Sequence, residues 1–282
     1  MVQQLSLFSS IDDKSYDLFI ATLTTLSGNP PILYSKLSTV WIPNPLYQIE
    51  GVNSKNQLVE KNRINVSKEL PLEMLKEFSN TSDNATKYNH EILKKLQDDT
   101  IPIEYTDLQN MINEIKSTRS DDDVMDVDGD DIIKSNKKNK YAWCISISDI
   151  PAAGNNRKVS MQTINESILL SHVGVDSSLQ KMMNELGYIY QYQYVTIGAR
   201  FNLKHNLIVE LQKIWSIGES SKQQKTKGGL LVKAFINIDK ATDIDKMNMT
   251  ETVLLNLQKE LQGYVELAVP DRKSMDSRMD VD

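Results

Sequence analysis

Two long alternating runs decide the fold, and they read YIYQYQYVTIGARFNLKH at residues 188–205 and LIVELQKIW at residues 207–215. Successive residues of a β-strand point to opposite faces, so each run separates into two faces. Glu210 and Gln212 fall on one face of the second run, and its other face carries Leu207, Val209, Leu211, Lys213 and Trp215. Both runs exceed the usual strand length of about five or six residues, which indicates coiled strands in a barrel or a strongly twisted sheet.

The same strand pattern recurs along the chain, with a short helix before residue 188. We predict further strands at Val2–Phe8, Ile32–Ile42, Tyr141–Ser148, Lys158–His172, Leu230–Asp239 and Tyr264–Val269. The strands around residue 188 are joined by turns rather than by crossover helices, so they are antiparallel. The sequence therefore predicts one domain over residues 1–282, mainly β with flanking helices (α+β), built on an antiparallel β-barrel-like sheet.

Two helices are predicted beside this sheet. Asp12 or Asp13 caps the first, and Gly28 ends it. Its core-facing positions follow the helical period: Tyr16, Phe19, Ile20, Leu23 and Leu26. The second helix begins at a capping box formed by Asn248 and Glu251, and it ends at Gly263. Weaker helical patterns lie around Pro71–Phe78 and Thr106–Lys116.

Residues 119–140 differ in composition from the rest of the chain. Aspartates crowd the first half, lysines the second, and few apolar residues separate them. Such a segment buries too little apolar surface to offset the entropy of ordering it. We therefore predict a disordered acidic and basic linker inserted within the domain. Residues 271–282 are predicted to form a polar C-terminal tail.

The composition is that of a soluble globular chain. Of its 282 residues 40% are hydrophobic and 25% are charged, and the net charge is −6. No apolar run approaches the roughly 18 residues of a membrane span, and the start does not resemble a signal peptide. A single cysteine, Cys144, excludes an internal disulfide and fits a reducing compartment. The acidic balance argues against nucleic-acid binding through overall charge.

The sequence predicts no metal site and no cofactor. The three histidines are far apart, with no cysteine or carboxylate at ligand spacing: His90, His172 and His205. The segment Asp126–Gly129 resembles the middle of a calcium loop, but Val124 and Ser135 occupy positions where that loop needs ligands.

Two features permit a binding function. The turn Gly154–Arg157 could offer backbone N–H groups and a guanidinium to an anion, although a left-handed turn favours the same residue types. Four tyrosines are predicted on one face of one strand: Tyr188, Tyr190, Tyr192 and Tyr194. Such a row could stack unpaired bases, or it could fill a barrel wall or a protein interface.

A phosphate-processing barrel is the enzymatic alternative. Such barrels line their lumen with glutamates and basic residues around a metal. Here the candidates are scattered, and no strand carries two glutamates at i and i+2: Arg200, Lys204, Glu210, Lys213 and Glu266. Without paired carboxylates a metal lacks ligands. The sequence therefore predicts a chain without a catalytic site, with a triphosphatase-like enzyme or a single-strand RNA-binding module as alternatives.

One helix face lacks the charges of a solvated surface. Between Lys14 and Lys36 the only charged residue is Asp17. The face opposite the predicted core positions consists of Leu18, Ala21, Thr22 and Thr25. Either another part of the same chain covers this face, or a partner protein binds it.

Several segments resemble the subunit 18 family of the Mediator complex, in its budding-yeast form. They are Val2–Phe8, Leu26–Pro31, Ile147–Arg157, Val159–Ile164, Leu211–Trp215, Glu260–Tyr264 and Pro270–Arg278. The resemblance covers nearly the whole chain apart from about residues 79–140, where the family varies.

The resemblance implies a nuclear, non-enzymatic subunit of the Mediator head module, which relays signals from DNA-bound activators to RNA polymerase II. It also implies a β-barrel-like sheet with flanking helices. The implied partners are the similarly folded subunit 20 and a C-terminal helix of subunit 8, which tethers the pair to the other head subunits. Neither membrane association nor direct sequence-specific nucleic-acid binding is implied.

Overall fold

The computed structural model describes residues 1–47, 61–70, 142–154, 156–169, 178–218, 222–239 and 242–278. The strands in these ranges are β1 (Val2–Asp12), β2 (Ile32–Pro43), β3 (Ile64–Glu69), β4 (Trp143–Ser148), β5 (Ser160–Leu169), β6 (Tyr188–Asn202), β7 (Ile208–Ile217), β8 (Lys222–Gln224) and β9 (Gly229–Ile238). The helices are α1 (Tyr16–Ser27), α2 (Leu179–Glu185), α3 (Ile244–Glu260) and α4 (Arg272–Met275).

The strands close into an antiparallel barrel. Its order is β6-β2-β3-β4-β5-β1-β9-β7, and the pairing of β6 with β7 completes the ring, while β8 adds to the end of β7. Along one row of the wall, Glu210 lies opposite Arg200 on one side and Lys233 on the other. The prediction of an antiparallel β-barrel with flanking helices is confirmed.

The two faces of the barrel wall differ in chemistry. One face carries fully buried apolar residues such as Leu7, Val209 and Val232, and it belongs to the same hydrophobic cluster as the buried faces of α1 and α3. The opposite face carries buried polar residues such as Gln4 and Ser6. The hydrophobic core therefore lies between the outer face of the wall and the helices, and the lumen is polar.

Helix α1 ends as predicted and begins differently. Gly28 adopts a left-handed conformation with φ 68°, and its N–H donates to the carbonyl of Thr24 at 2.9 Å. The predicted cap is wrong, because neither the Asp12 nor the Asp13 side chain caps this helix. Asp13 instead pairs with Lys213 on the barrel wall. Leu26, predicted in the core, is 38% exposed.

Helix α3 begins earlier than the sequence predicts. It starts at Ile244, and the carboxylate of Asp243 accepts a hydrogen bond from the Lys246 N–H at 3.0 Å. The predicted capping box at Asn248 and Glu251 is therefore wrong, since both residues lie inside the helix. None of the helices in the described part of the chain is long and apolar enough to cross a membrane.

Two strand predictions also need correction. Residues 264–269 form no strand, because only Ala268 pairs with Phe8, through two backbone hydrogen bonds of 2.8 Å. Strand β1 runs on to Asp12, since β9 pairs with it along nearly its whole length. The predicted helices around residues 71–78 and 106–116 and the predicted linker at 119–140 lie outside the described residues.

The polar segment from residue 271 is bonded to the barrel as far as Arg278. The Arg63 N–H donates to the carbonyl of Ser277 at 2.9 Å, and the Ser277 hydroxyl donates to the carbonyl of Ser148 at 2.7 Å. The amide of Gln162 reaches the carbonyl of Met275 at 3.2 Å. These bonds fix residues 275–278 at the end of the barrel where β3 begins and β4 ends.

Candidate interaction surface and polar lumen

The outer face of α1 carries exposed apolar and small side chains. We call Leu18, Ala21, Thr22 and Thr25 the α1 face. Leu18 is 60% exposed, Ala21 and Thr25 are exposed, and Thr22 is half-buried. The residues that the structure describes therefore leave Leu18, Ala21 and Thr25 exposed, while Thr22 is partly covered. The Thr22 and Thr25 hydroxyls donate to the carbonyls of Leu18 and Ala21, at 2.8 and 2.9 Å. Their O–H groups are already used, so the face offers methyl groups and hydroxyl acceptors.

A groove opens beside the C-terminal end of α1. It has a volume of about 350 Å³ and lies between α1, α3 and the turn that joins β6 to β7. Leu26, Leu207 and Val253 contribute apolar lining, while Lys204 and Glu260 contribute opposite charges. The turn is tight, because His205 and Asn206 both adopt left-handed conformations, with φ 62° and 58°. Apolar surface therefore continues from α1 into this groove.

The tyrosine row is divided by a β-bulge. Val40 lies opposite Tyr192 and Trp41 lies opposite Tyr190, so Gln191 is an extra residue in β6. An extra residue moves the following side chains to the other face. Tyr190 accordingly packs edge-on against the buried outer-face residue Trp41, with ring centroids 5.8 Å apart. The prediction of four tyrosines on one face is therefore wrong.

The two remaining tyrosines lie on the lumen side. Tyr192 and Tyr194 have ring centroids 6.3 Å apart, while Tyr188 packs against the outer core. Burial raises the pKa of Tyr194, as expected for a phenol inside the barrel. Tyr188 and Tyr190 therefore lie on the outer face of the wall, and Tyr192 and Tyr194 lie on the lumen face. The four rings form no continuous platform on which bases could stack.

A charged cluster lies in the middle of the lumen. The Arg200 guanidinium contacts Glu210 at 2.7 and 2.8 Å, and the amide of Gln212 donates to the same carboxylate at 2.7 Å. The guanidinium also lies over the ring of Tyr34, 5.0 Å from its centroid. Gly198 allows both the β7 backbone and this ring to approach, because a Cβ there would collide with the Leu211 carbonyl and would lie 3.0 Å from the Tyr34 hydroxyl.

Lys233 projects into the same lumen from β9. Its ammonium lies 4.8 Å from the ring centroid of Phe235 and 5.7 Å from that of Phe8. Burial lowers the pKa of Lys233 to about 8; the Glu210 carboxylate opposes this shift, and the positive charge of Lys36 adds to it. Lys233 was not singled out from the sequence.

Lys213 is a buried charged residue on the mainly apolar outer face, where Lys68 is also buried. Lys213 has no exposed side-chain surface, and its ammonium pairs with the Asp13 carboxylate at 2.9 Å, just before α1 begins. The pair joins β7 to the start of α1. The alternation in residues 207–215 correctly predicts that Lys213 lies among apolar neighbours, but nothing in that stretch indicates its acidic partner.

The described part of the chain contains no cluster of three or more residues suited to hold a metal ion. The described residues opposite Glu210 on β6 and β9 are Arg200 and Lys233, neither of them a carboxylate, and Arg200 and Gln212 bond Glu210. The turn at Gly154 forms as expected, since the Arg157 N–H donates to the Gly154 carbonyl at 3.0 Å, and the Arg157 side chain is exposed. The described residues thus form a closed β-barrel with a polar lumen and an exposed face on α1.

Comparison with known proteins gives the family. The model of the family described as "Med18 protein" matches residues 3–278. Mediator of RNA polymerase II transcription subunit 18 of Saccharomyces cerevisiae is 50% identical over 99% of this chain and 98% of its own length. The Candida glabrata subunit 18 is 39% identical over 99% of this chain and 96% of its own length. The chain belongs to the Mediator subunit 18 family.

A solved structure agrees with the fold. A chain in the structure of the Schizosaccharomyces pombe Mediator head module superposes with a TM-score of 0.56, covering 94% of this chain and 98% of that one. The identity is only 10%, so this similarity concerns the fold alone.

Proposed function

We propose that this chain is a non-catalytic subunit of the Mediator head module, acting in the nucleus as a protein–protein interaction scaffold for RNA polymerase II transcription. The observation that carries the proposal is the full-length relationship to subunit 18 of budding-yeast Mediator, at 50% identity.

The α1 face is the proposed contact for a partner subunit, with subunit 20 and the C-terminal helix of subunit 8 as the expected partners. Leu18 is 60% exposed, and Leu26, which is 38% exposed, lines the groove beside α1. Small residues between them allow another backbone to approach closely. A partner that covers these side chains removes apolar surface from water without separating any ion pair, which favours association.

Affinity purification from nuclear extract tests whether the chain belongs to Mediator and whether it associates with the proposed partners. The tagged chain should capture Mediator head subunits and RNA polymerase II. Recovery of the chain alone would contradict membership in the complex.

A surface variant tests the contact itself. Leu18→Arg should weaken capture of its partner, since it places a charge where a leucine is buried on binding. The expected loss is roughly 1–3 kcal/mol, or about five- to a hundredfold in affinity. Met249→Arg is a matched control, because Met249 is a similarly exposed apolar residue on α3, 52% against 60%. If both variants bind normally and melt normally, the interface lies elsewhere.

A screen for phosphate release distinguishes the proposed scaffold function from the catalytic alternative. With magnesium or manganese, the purified chain should release no phosphate from polyphosphate or nucleoside triphosphates. Metal-dependent turnover that is lost in Glu210→Gln would overturn the non-catalytic assignment and support the triphosphatase-like alternative.

A further inference from the structure

The lumen contains two lysines on which the described carboxylates act without forming an ion pair. Lys36 on β2 and Lys233 on β9 share the lumen face with Arg200 on β6. Neither lysine forms an ion pair within the part of the chain that the structure describes. Lys36 is also near enough to Lys233 to disfavour its charge.

The acidic groups of the same face are already engaged or lie at exposed positions. Glu210 receives hydrogen bonds from Arg200 and Gln212. Glu69 lies opposite Lys36 at the end of β3 and is exposed. Glu166 on β5 is also exposed, and its carboxylate favours the charged form of Lys233 without forming an ion pair with it. Two lysines facing one confined, partly desolvated space repel each other more strongly than they would in water. An anion between them would relieve that repulsion.

The surroundings also hold Lys233 in place. Its ammonium lies over the rings of Phe8 and Phe235, whose faces attract a cation without neutralising it. The charge thus remains available to a ligand within the lumen. Arg200 is held in a similar way, between the Glu210 carboxylate and the ring of Tyr34.

We propose that the barrel lumen binds a small phosphate-class anion between Lys36, Lys233 and Arg200. Several oxygens on one phosphoryl group can accept hydrogen bonds from more than one cation at a time, and such charge-assisted bonds are the strong ones. The role is binding without hydrolysis. The site lies inside the barrel, away from the α1 face, so this proposal and the proposed membership of Mediator can fail separately.

Calorimetric titration of the purified full-length chain with tripolyphosphate, at constant ionic strength, tests the site. We expect saturable binding that weakens roughly ten- to a hundredfold in Lys233→Met and in Lys36→Met. Methionine fills a similar space beside the two phenylalanines, and Lys233→Arg should restore binding. Lys246→Met, at an exposed position on α3, should bind like the unchanged chain.

Two results of this titration would overturn the proposal. Equal tripolyphosphate affinity in the unchanged chain and in both folded lumen variants would place the anion on the surface and overturn the proposal, as would no binding at millimolar concentration. A parallel titration with ATP distinguishes the source of the ligand. Comparable affinity, sensitive to the same substitutions, assigns the site to phosphates carried on a nucleotide, whereas binding of tripolyphosphate alone assigns it to free phosphate anions.

Discussion

Lys213 and Lys233 are lysines on neighbouring strands that meet opposite surroundings. Lys213 lies on the outer face under α1, where it is fully buried and paired with Asp13. Lys233 lies on the lumen face, over two phenylalanine rings and without an ion pair among the described residues. The outer face uses charge to attach a helix to the wall, whereas the lumen face keeps charge available.

The contrast follows from the construction of the barrel. A wall with helices outside must be apolar on its outer face, because that is where the core forms. A charge there is tolerated only with a partner. The lumen of this barrel has room for polar side chains, so Lys233 interacts with its charged neighbours across the space, while Arg200 and Glu210 pair directly. Substitutions at the two lysine sites should therefore have opposite effects on stability.

The largest effect is expected where the outer pair is broken. Asp13→Asn removes the carboxylate that contacts a fully buried ammonium, and we expect a loss of about 3 kcal/mol in the free energy of unfolding. Chemical denaturation measures this loss. Asp12→Asn is the matched control, since Asp12 is exposed and precedes Asp13 directly. Equal stability of the two variants would show that the Asp13 contact adds little.

The second-largest expected effect is a gain in the free energy of unfolding, in contrast to the loss expected for Asp13→Asn. The pKa of Lys233 is lowered from an ordinary 10.5 to about 8, so below pH 8 its protonated form costs the folded state roughly 2–4 kcal/mol. Without an anion present, Lys233→Met should therefore stabilise the chain by an amount within that range.

The pH dependence checks the cause. Between about pH 8 and 10.5 the unfolded chain binds more protons at Lys233 than the folded chain does, so stability from this group rises with pH. The advantage of Lys233→Met should be largest below pH 8 and shrink as the pH approaches 10.5. A difference that does not vary over this range would point to packing instead of charge.

Much of this organisation could be predicted from the sequence. The alternation in residues 207–215 correctly separates Glu210 and Gln212 from Val209 and Leu211. The missing charges in α1 single out one helix face but leave open whether the chain covers it; in the structure its Leu18 is 60% exposed. Which alternating face is the lumen could not be predicted, because both faces are buried and closure of the ring decides between them. A signal was present, since Gln4, Ser6, Gln162 and Gln212 repeat polar groups on one face of several strands.

The sequence-based predictions of local detail are wrong where contacts between distant parts of the chain decide the structure. Asp13 looks like a helix cap in sequence, but Lys213 lies two hundred residues away in the chain and takes its carboxylate. The four tyrosines look like one continuous row in the sequence. The bulge that divides them is defined by the pairing of β6 with β2, which the sequence of β6 alone does not show. Nothing in residues 188–194 alone indicates that β2 carries one residue fewer opposite them.

The smallest effect tests that bulge. Tyr190 packs edge-on against the buried Trp41, so Tyr190→Ala should lower the free energy of unfolding by about 1 kcal/mol. Tyr192 is 46% exposed and lies on the other face, so Tyr192→Ala should change it by no more than about 0.5 kcal/mol. RNA filter binding should remain absent for both variants and for the unchanged chain. If RNA instead binds in a salt-sensitive way, and both alanines weaken that binding equally, the two tyrosines act together on one surface. The bulge would then not divide the row as the register indicates.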